Sequence, residues 1–169
     1  MRAVLVFVIV LCLSGCSDIQ RYFTAGEVSW ALKRELRDKR ATQVELAKLT
    51  KFEWDALYLF GPYFPSSEVC KSLELSALEC KSAITVASTD DGEMLLVFRL
   101  KKKIVHTEIH LRGYGDFVPA LSEKSLRQPF TPQTAIFSVS LEGKDTNGAG
   151  WLILRPVPVR SDGVPAPPP

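Results

Sequence analysis

The chain has 169 residues, 46% hydrophobic and 24% charged, with 21 Lys and Arg against 19 Asp and Glu for a net charge of +2. A balance this close to neutral excludes nucleic acid as a default partner, and the length suits one domain. Beyond residue 16 no window is apolar over the roughly 18 residues that a membrane-spanning helix needs.

The N-terminus departs from that profile. Arg2 precedes an uninterrupted apolar run, AVLVFVIVLCL (3–13). The run is too short for a bilayer core of about 30 Å and has the length of the core of an export signal. It ends in Leu13-Ser14-Gly15-Cys16, which resembles the lipobox of bacterial lipoproteins. The resemblance implies that residues 1–15 are a signal peptide and that Cys16 becomes the lipid-bearing N-terminus, carrying diacylglycerol and palmitate. Cys12 would leave with the signal. Ser17, where an Asp would hold such a protein at the inner membrane, implies the outer membrane and a domain facing the periplasm. Residues 16–25 then form a tether. The partners implied are the membrane, through the N-terminal lipid, and an envelope protein.

Thr24 and Glu27 have the spacing of a capping box. Val28, Ala31, Leu32 and Leu36 follow at helical intervals, predicting a helix over about 26–40. Its other positions carry Lys33, Arg34, Arg37, Lys39 and Arg40. Interspersed Glu35 and Asp38 favour a solvated face over a headgroup-binding one. Val44, Leu46 and Leu49 suggest a first strand. In FEWDALYLFGPYFP (52–65), Leu57 and Leu59 alternate with Tyr58 and Phe60 before Gly61-Pro62 ends the strand. The pattern Phe52-x-Trp54-Asp55-x-Leu57-Tyr58-x-Phe60-x-Pro62-Tyr63 is similar to one in small uncharacterised bacterial envelope proteins, a likeness of about a dozen residues that implies architecture only. Ser66 or Ser67 can cap a second helix.

Without Cys12 and Cys16, Cys70 and Cys80 remain, and an exported chain with two cysteines predicts one disulfide. A continuous helix would hold their Cα atoms about 15 Å apart, so the second helix must end by about Leu75 and the chain must turn back. SAITVAS (82–88), EMLLVFRL (93–100), IVHTEIHLR (104–112), TAIFSVSLEG (134–143) and GWLILRPV (150–157) read as further strands. Asp90-Asp91-Gly92 and Lys101-Lys102-Lys103 would connect the first three. The end of the chain (158–169) is Pro-rich and predicted to be disordered. The expected fold is α+β: one mostly antiparallel sheet of five to seven strands with one or two helices on one face, in a single domain over 26–157.

The chain has no G-x-S-x-G, H-E-x-x-H or P-loop signature, so neither catalysis nor a cofactor is expected. His106, Glu108 and His110 leave one face of a strand. The histidines, four residues apart, are separated by about 13 Å, so one metal ion would need a ligand from elsewhere. The plainer reading is a polar, solvent-facing strand side opposite Val105, Ile109 and Leu111. Trp54, Asp55, Tyr58 and Tyr63 offer an aromatic surface for a sugar or peptide, against the plainer reading of core packing with Asp55 satisfying a turn. The expected function is therefore non-catalytic binding or support in the envelope. The rivals are metal binding through His106 and His110 and polymer hydrolysis around Asp55.

Overall fold

A computed structural model describes residues 25–118, 129–143 and 150–158. The lipobox, the tether up to Thr24, the 144–149 loop and the Pro-rich end lie outside the described residues. The fold is α+β, and the described residues form three helices and seven strands: α1 (Glu27–Lys33), β1 (Gln43–Glu45), β2 (Ala56–Phe60), α2 (Ser66–Ser72), α3 (Ala77–Ala83), β3 (Glu93–Leu100), β4 (Lys103–Leu111), β5 (Asp116–Phe117), β6 (Ile136–Glu142) and β7 (Trp151–Pro156).

The strands divide between two sheets where one was expected. β2-β3-β4 is an antiparallel sheet; β1-β6-β7-β5 is antiparallel except for the parallel β5–β7 pair. The first sheet is buried on both faces. Leu57, Leu59, Met94, Leu96 and Phe98 point inward, toward Val44, Phe137 and Leu154 of the second sheet and Val28, Leu32 and Leu36 of the first helix and its extension. Tyr58, Phe60, Leu95, Val97 and Ile109 point outward, beneath Val69 and Cys70 of α2 and Leu73 just after it. This is why β3 reads as a continuous apolar run rather than an alternation.

α1 is shorter than its periodicity suggests, because Arg34–Asp38 winds on as a π-helical turn. β1 stops after three residues, and Leu46–Lys48 forms a 3₁₀ turn. SAITVAS is not a strand: residues 82 and 83 finish α3, and 84–89 join no ladder. Both sides of β3 are already taken, by β2 and β4, so the β-branched segment has no free edge there and instead adds Ile84 and Val86 to the outer cluster. The predicted turn after it exists, with Asp90 Oδ1 accepting the Gly92 N–H at 2.7 Å. β3 and β4 meet across Leu100 and Lys103. The two residues between them, Lys101 and Lys102, have φ of 49° and 69°, the left-handed pattern of a tight hairpin. A register shift beside Phe98 and Arg99 pairs Phe98 with His106 and Arg99 with Ile104. Val105 is thus the extra residue of a bulge.

α2 ends at Ser72, inside the limit set by the cysteine spacing, and Glu74 reverses the chain at φ 57°. α3 starts with a Ser76–Glu79 capping box and buries no residue. Cys70 and Cys80 are disulfide-bonded, their Cα atoms 5.5 Å apart. The bridge is therefore a main restraint on α3. Replacing Cys80 with Ser should destabilise the protein by about 2.5–3 kcal/mol, the loop-closure value for a ring of this size. Denaturant unfolding with and without reductant checks this: the difference should vanish in the variant.

Candidate functional site

The His106, Glu108 and His110 side chains do share one face, but it is the inner one. Glu108 is 4% exposed and His110 0%, while Val105, expected in the core, is 41% exposed. The solvent-facing reading of this strand side is corrected by the second layer: α1 lies over it. Among the described residues no group of three His, Cys, Asp or Glu side chains is arranged to hold a metal ion, because these three are engaged with the protein itself.

Glu108 closes the N-terminus of α1 from 80 residues away. Its Oε2 accepts the Val28 N–H at 3.1 Å and its Oε1 the Ser29 N–H at 2.8 Å. Two of the helix's orphan donors are thereby satisfied, and the carboxylate sits at the positive end of the helix dipole. The N-cap residue is Gly26, not Thr24, and has no side chain with which to cap. A Cβ there would overlap the Glu108 carboxylate, so glycine is what permits the approach. The Gly26 N–H donates to the Ile109 carbonyl at 3.0 Å, fixing the chain on β4. His106 Nε2 lies 2.8 Å from Glu108 Oε2, and its ring lies tilted against Phe52 with centroids 4.6 Å apart.

His110 is bonded at both nitrogens. Nε2 is 2.6 Å from the Gly115 carbonyl, which only accepts, so Nε2 carries the proton. Nδ1 then accepts the Ser29 hydroxyl proton at 2.9 Å, while Ser29 Oγ accepts the Leu111 N–H at 3.3 Å. A Ser–His pair resembles an activated nucleophile, but both residues are 0% exposed, and no substrate carbon can reach Oγ. Burial pushes the His110 imidazole below its ordinary 6.5, with the Gly115 carbonyl and the Glu108 and Asp116 charges pulling the other way.

The second buried acid, Asp116, is 3% exposed. Arg112 grips it with a two-pronged contact, Nε to Oδ1 at 2.8 Å and NH2 to Oδ2 at 2.7 Å, and Trp151 Nε1 donates to Oδ2 at 3.0 Å. The hydrogen bond to Asp116 raises the Arg112 pKa and keeps it charged. Its remaining prong reaches the Asp91 carbonyl at 2.7 Å. The 88–93 turn, the end of β4, β5 and β7 are joined at this point.

The aromatic group does not form one surface. Trp54 is buried in the inner cluster, edge-on to Phe98 with centroids 5.4 Å apart, its Nε1 donating to Thr50 Oγ1. Tyr58 lies on the opposite face of the sheet, its hydroxyl accepting from Arg99. Asp55 Oδ2 accepts the Lys101 N–H at 2.7 Å, and Tyr63 is 59% exposed. Because β2 is covered on both faces, alternation sends successive rings into different layers.

Ser29, Arg112, Asp116 and Trp151 were not singled out in the sequence. Ser29 shares the helical spacing of Leu32 and Leu36, and a serine on an apolar stripe is a sign of a buried partner. Arg112 and Asp116 are four residues apart, but outside a helix that spacing predicts no pair. No protein-family profile matches the chain, and no curated protein and no solved structure is significantly similar to it.

Two outcomes are expected. Glu108→Gln keeps the volume but turns a donor toward a helix N–H, and should lose about 1–3 kcal/mol in denaturant unfolding. For His110, the unfolded chain takes up a proton near 6.5 and the folded chain only at lower pH. Its contribution is thus complete above the unfolded value and declines as pH falls toward the folded one. The melting temperature should drop from about pH 7 to about pH 5, and less so in His110→Gln, which has no such linkage.

Proposed function

We propose that the protein is a lipid-anchored component of the bacterial cell envelope whose α+β domain binds or supports a partner and performs no catalysis. One observation carries the reading: Leu13-Ser14-Gly15-Cys16 closes an uninterrupted apolar run behind a single N-terminal arginine. The Cys70–Cys80 disulfide supports it, since such bonds persist in exported proteins. The non-catalytic part is supported by how the chemically capable side chains are engaged. Glu108 holds a helix N-terminus, His110 bridges Ser29 and Gly115, and Asp116 holds Arg112 and Trp151. Metal binding through His106 and His110 would first have to break the α1 contact. Hydrolysis around Asp55 would need a carboxylate that already accepts the Lys101 backbone N–H.

The full chain, expressed in a Gram-negative host fed a clickable palmitate analogue, should be labelled and shortened to a form beginning at Cys16. Cys16→Ala should be unlabelled and keep its precursor length. A normally processed Cys16→Ala chain, or an unlabelled wild type, would overturn the reading.

A further inference from the structure

The β3–β4 turn carries three consecutive exposed lysines, Lys101, Lys102 and Lys103. Among the described residues none of their ammonium groups is ion-paired or hydrogen-bonded; only the Lys101 backbone N–H is used, by Asp55. Two of them stand in the left-handed backbone region, at φ 49° and 69°, where Asn-Gly would sit without strain. Neighbouring like charges on strained backbone weaken a hairpin in isolation, and such strain is characteristic of segments that act on something outside themselves.

In the other basic stretch three of the five charges are engaged, and Arg34 and Arg40 are exposed. On the first helix and its extension, Lys33 lies over the Trp30 and Tyr114 rings at 4.6 Å, Arg37 donates to the Gly113 carbonyl and Lys39 pairs with Glu35. Those three charges are engaged within the protein, whereas the lysine turn holds three consecutive ammonium groups with no partner among the described residues.

Tether length gives the turn a partner. Ala25, the first described residue, bridges Ile109 in parallel, on the strand that begins at Lys103. From Ile109 back to Lys103 is about 20 Å of strand. From Cys16 to Ala25 the chain can extend about 30 Å. That length is enough for an acyl anchor at Cys16 to lie at the level of the lysine turn.

We propose that Lys101–Lys103 docks on anionic phospholipid headgroups of the leaflet that holds the Cys16 acyl chains, which rests on the lipoprotein reading above. Each lysine near an anionic surface favours contact roughly fivefold. A small turn is enough because the anchor supplies most of the binding.

The test uses the lipidated protein, reconstituted in phosphatidylcholine vesicles with or without phosphatidylglycerol. Lysine acylation is followed by mass spectrometry, with Lys71 and Lys81 of the helical hairpin as internal references. Lys101–Lys103 should react at least about threefold more slowly when phosphatidylglycerol is present, and high salt should remove the protection. The double variant Lys101→Asn, Lys102→Gly relaxes the turn. It should melt at a higher temperature than the wild type while Lys103 loses its protection. Lipidated protein with turn lysines as reactive as in phosphatidylcholine alone, or protection equal at all lysines, would overturn the contact and leave the anchor standing. A chain that takes up no palmitate would overturn both.

Discussion

Glu108 presents a carboxylate where α1 offers two unpaired backbone N–H groups, and the seating of that helix on the first sheet follows from the pairing. A buried charge is costly unless every lone pair is met. Here two helix donors and His106 meet it, at the end of the helix whose dipole favours an anion. The contact also demands Gly26, since any side chain there would collide with the carboxylate. Helix and strand are thus keyed to one another at a fixed register. Once seated, the helix delivers Val28, Leu32 and Leu36 to the cluster shared by both sheets.

The polar chain around His110 extends this key. Ser29 is the residue after Val28, so the helix position set by Glu108 also brings Ser29 to His110. His110 in turn holds the Gly115 carbonyl, where the backbone lies at φ 156° and a side chain would strike Leu36. One residue later Asp116 takes Arg112 and Trp151, binding the second sheet to the end of the first. Buried networks of this kind hold elements in one arrangement because any shift leaves a donor or acceptor unmet. The burial that keeps His110 neutral makes the same joint sensitive to acid.

Much of this was legible in the sequence, and the limits have physical causes. The β3–β4 and β6–β7 hairpins, the stop of α2 before Leu75 and the shared face of His106, Glu108 and His110 all follow from local spacing. Which face was buried did not, since a strand with apolar residues on both sides gives no sign of which layer covers the polar set. The bulge at Val105 deepened the ambiguity by placing Ile104 outward and His106 inward, against the alternation rule. SAITVAS has strand composition but no open edge of β3 to join, a fact about topology rather than propensity. The cap of α1 was sought at Thr24, within reach of local rules, and comes instead from 80 residues downstream.

The same two-sided burial bears on where recognition can occur. A sheet covered by helices on one side and by a second sheet on the other offers no broad face to a partner, and the aromatic residues of 52–63 are largely absorbed in holding the layers together. Among the described residues what remains exposed is strand ends, turns, the outer side of the α2–α3 hairpin and the outer positions of β6 and β7, including Leu141 and Trp151. Edges of the first sheet are themselves partly closed, by Ala25 on β4 and by Phe130 on β2. Contacts with the surroundings then fall to small exposed segments whose positions are set by rigid strands behind them. Such segments bind weakly alone, and the lipid tether proposed above would confine the domain near one surface, where weak contacts suffice.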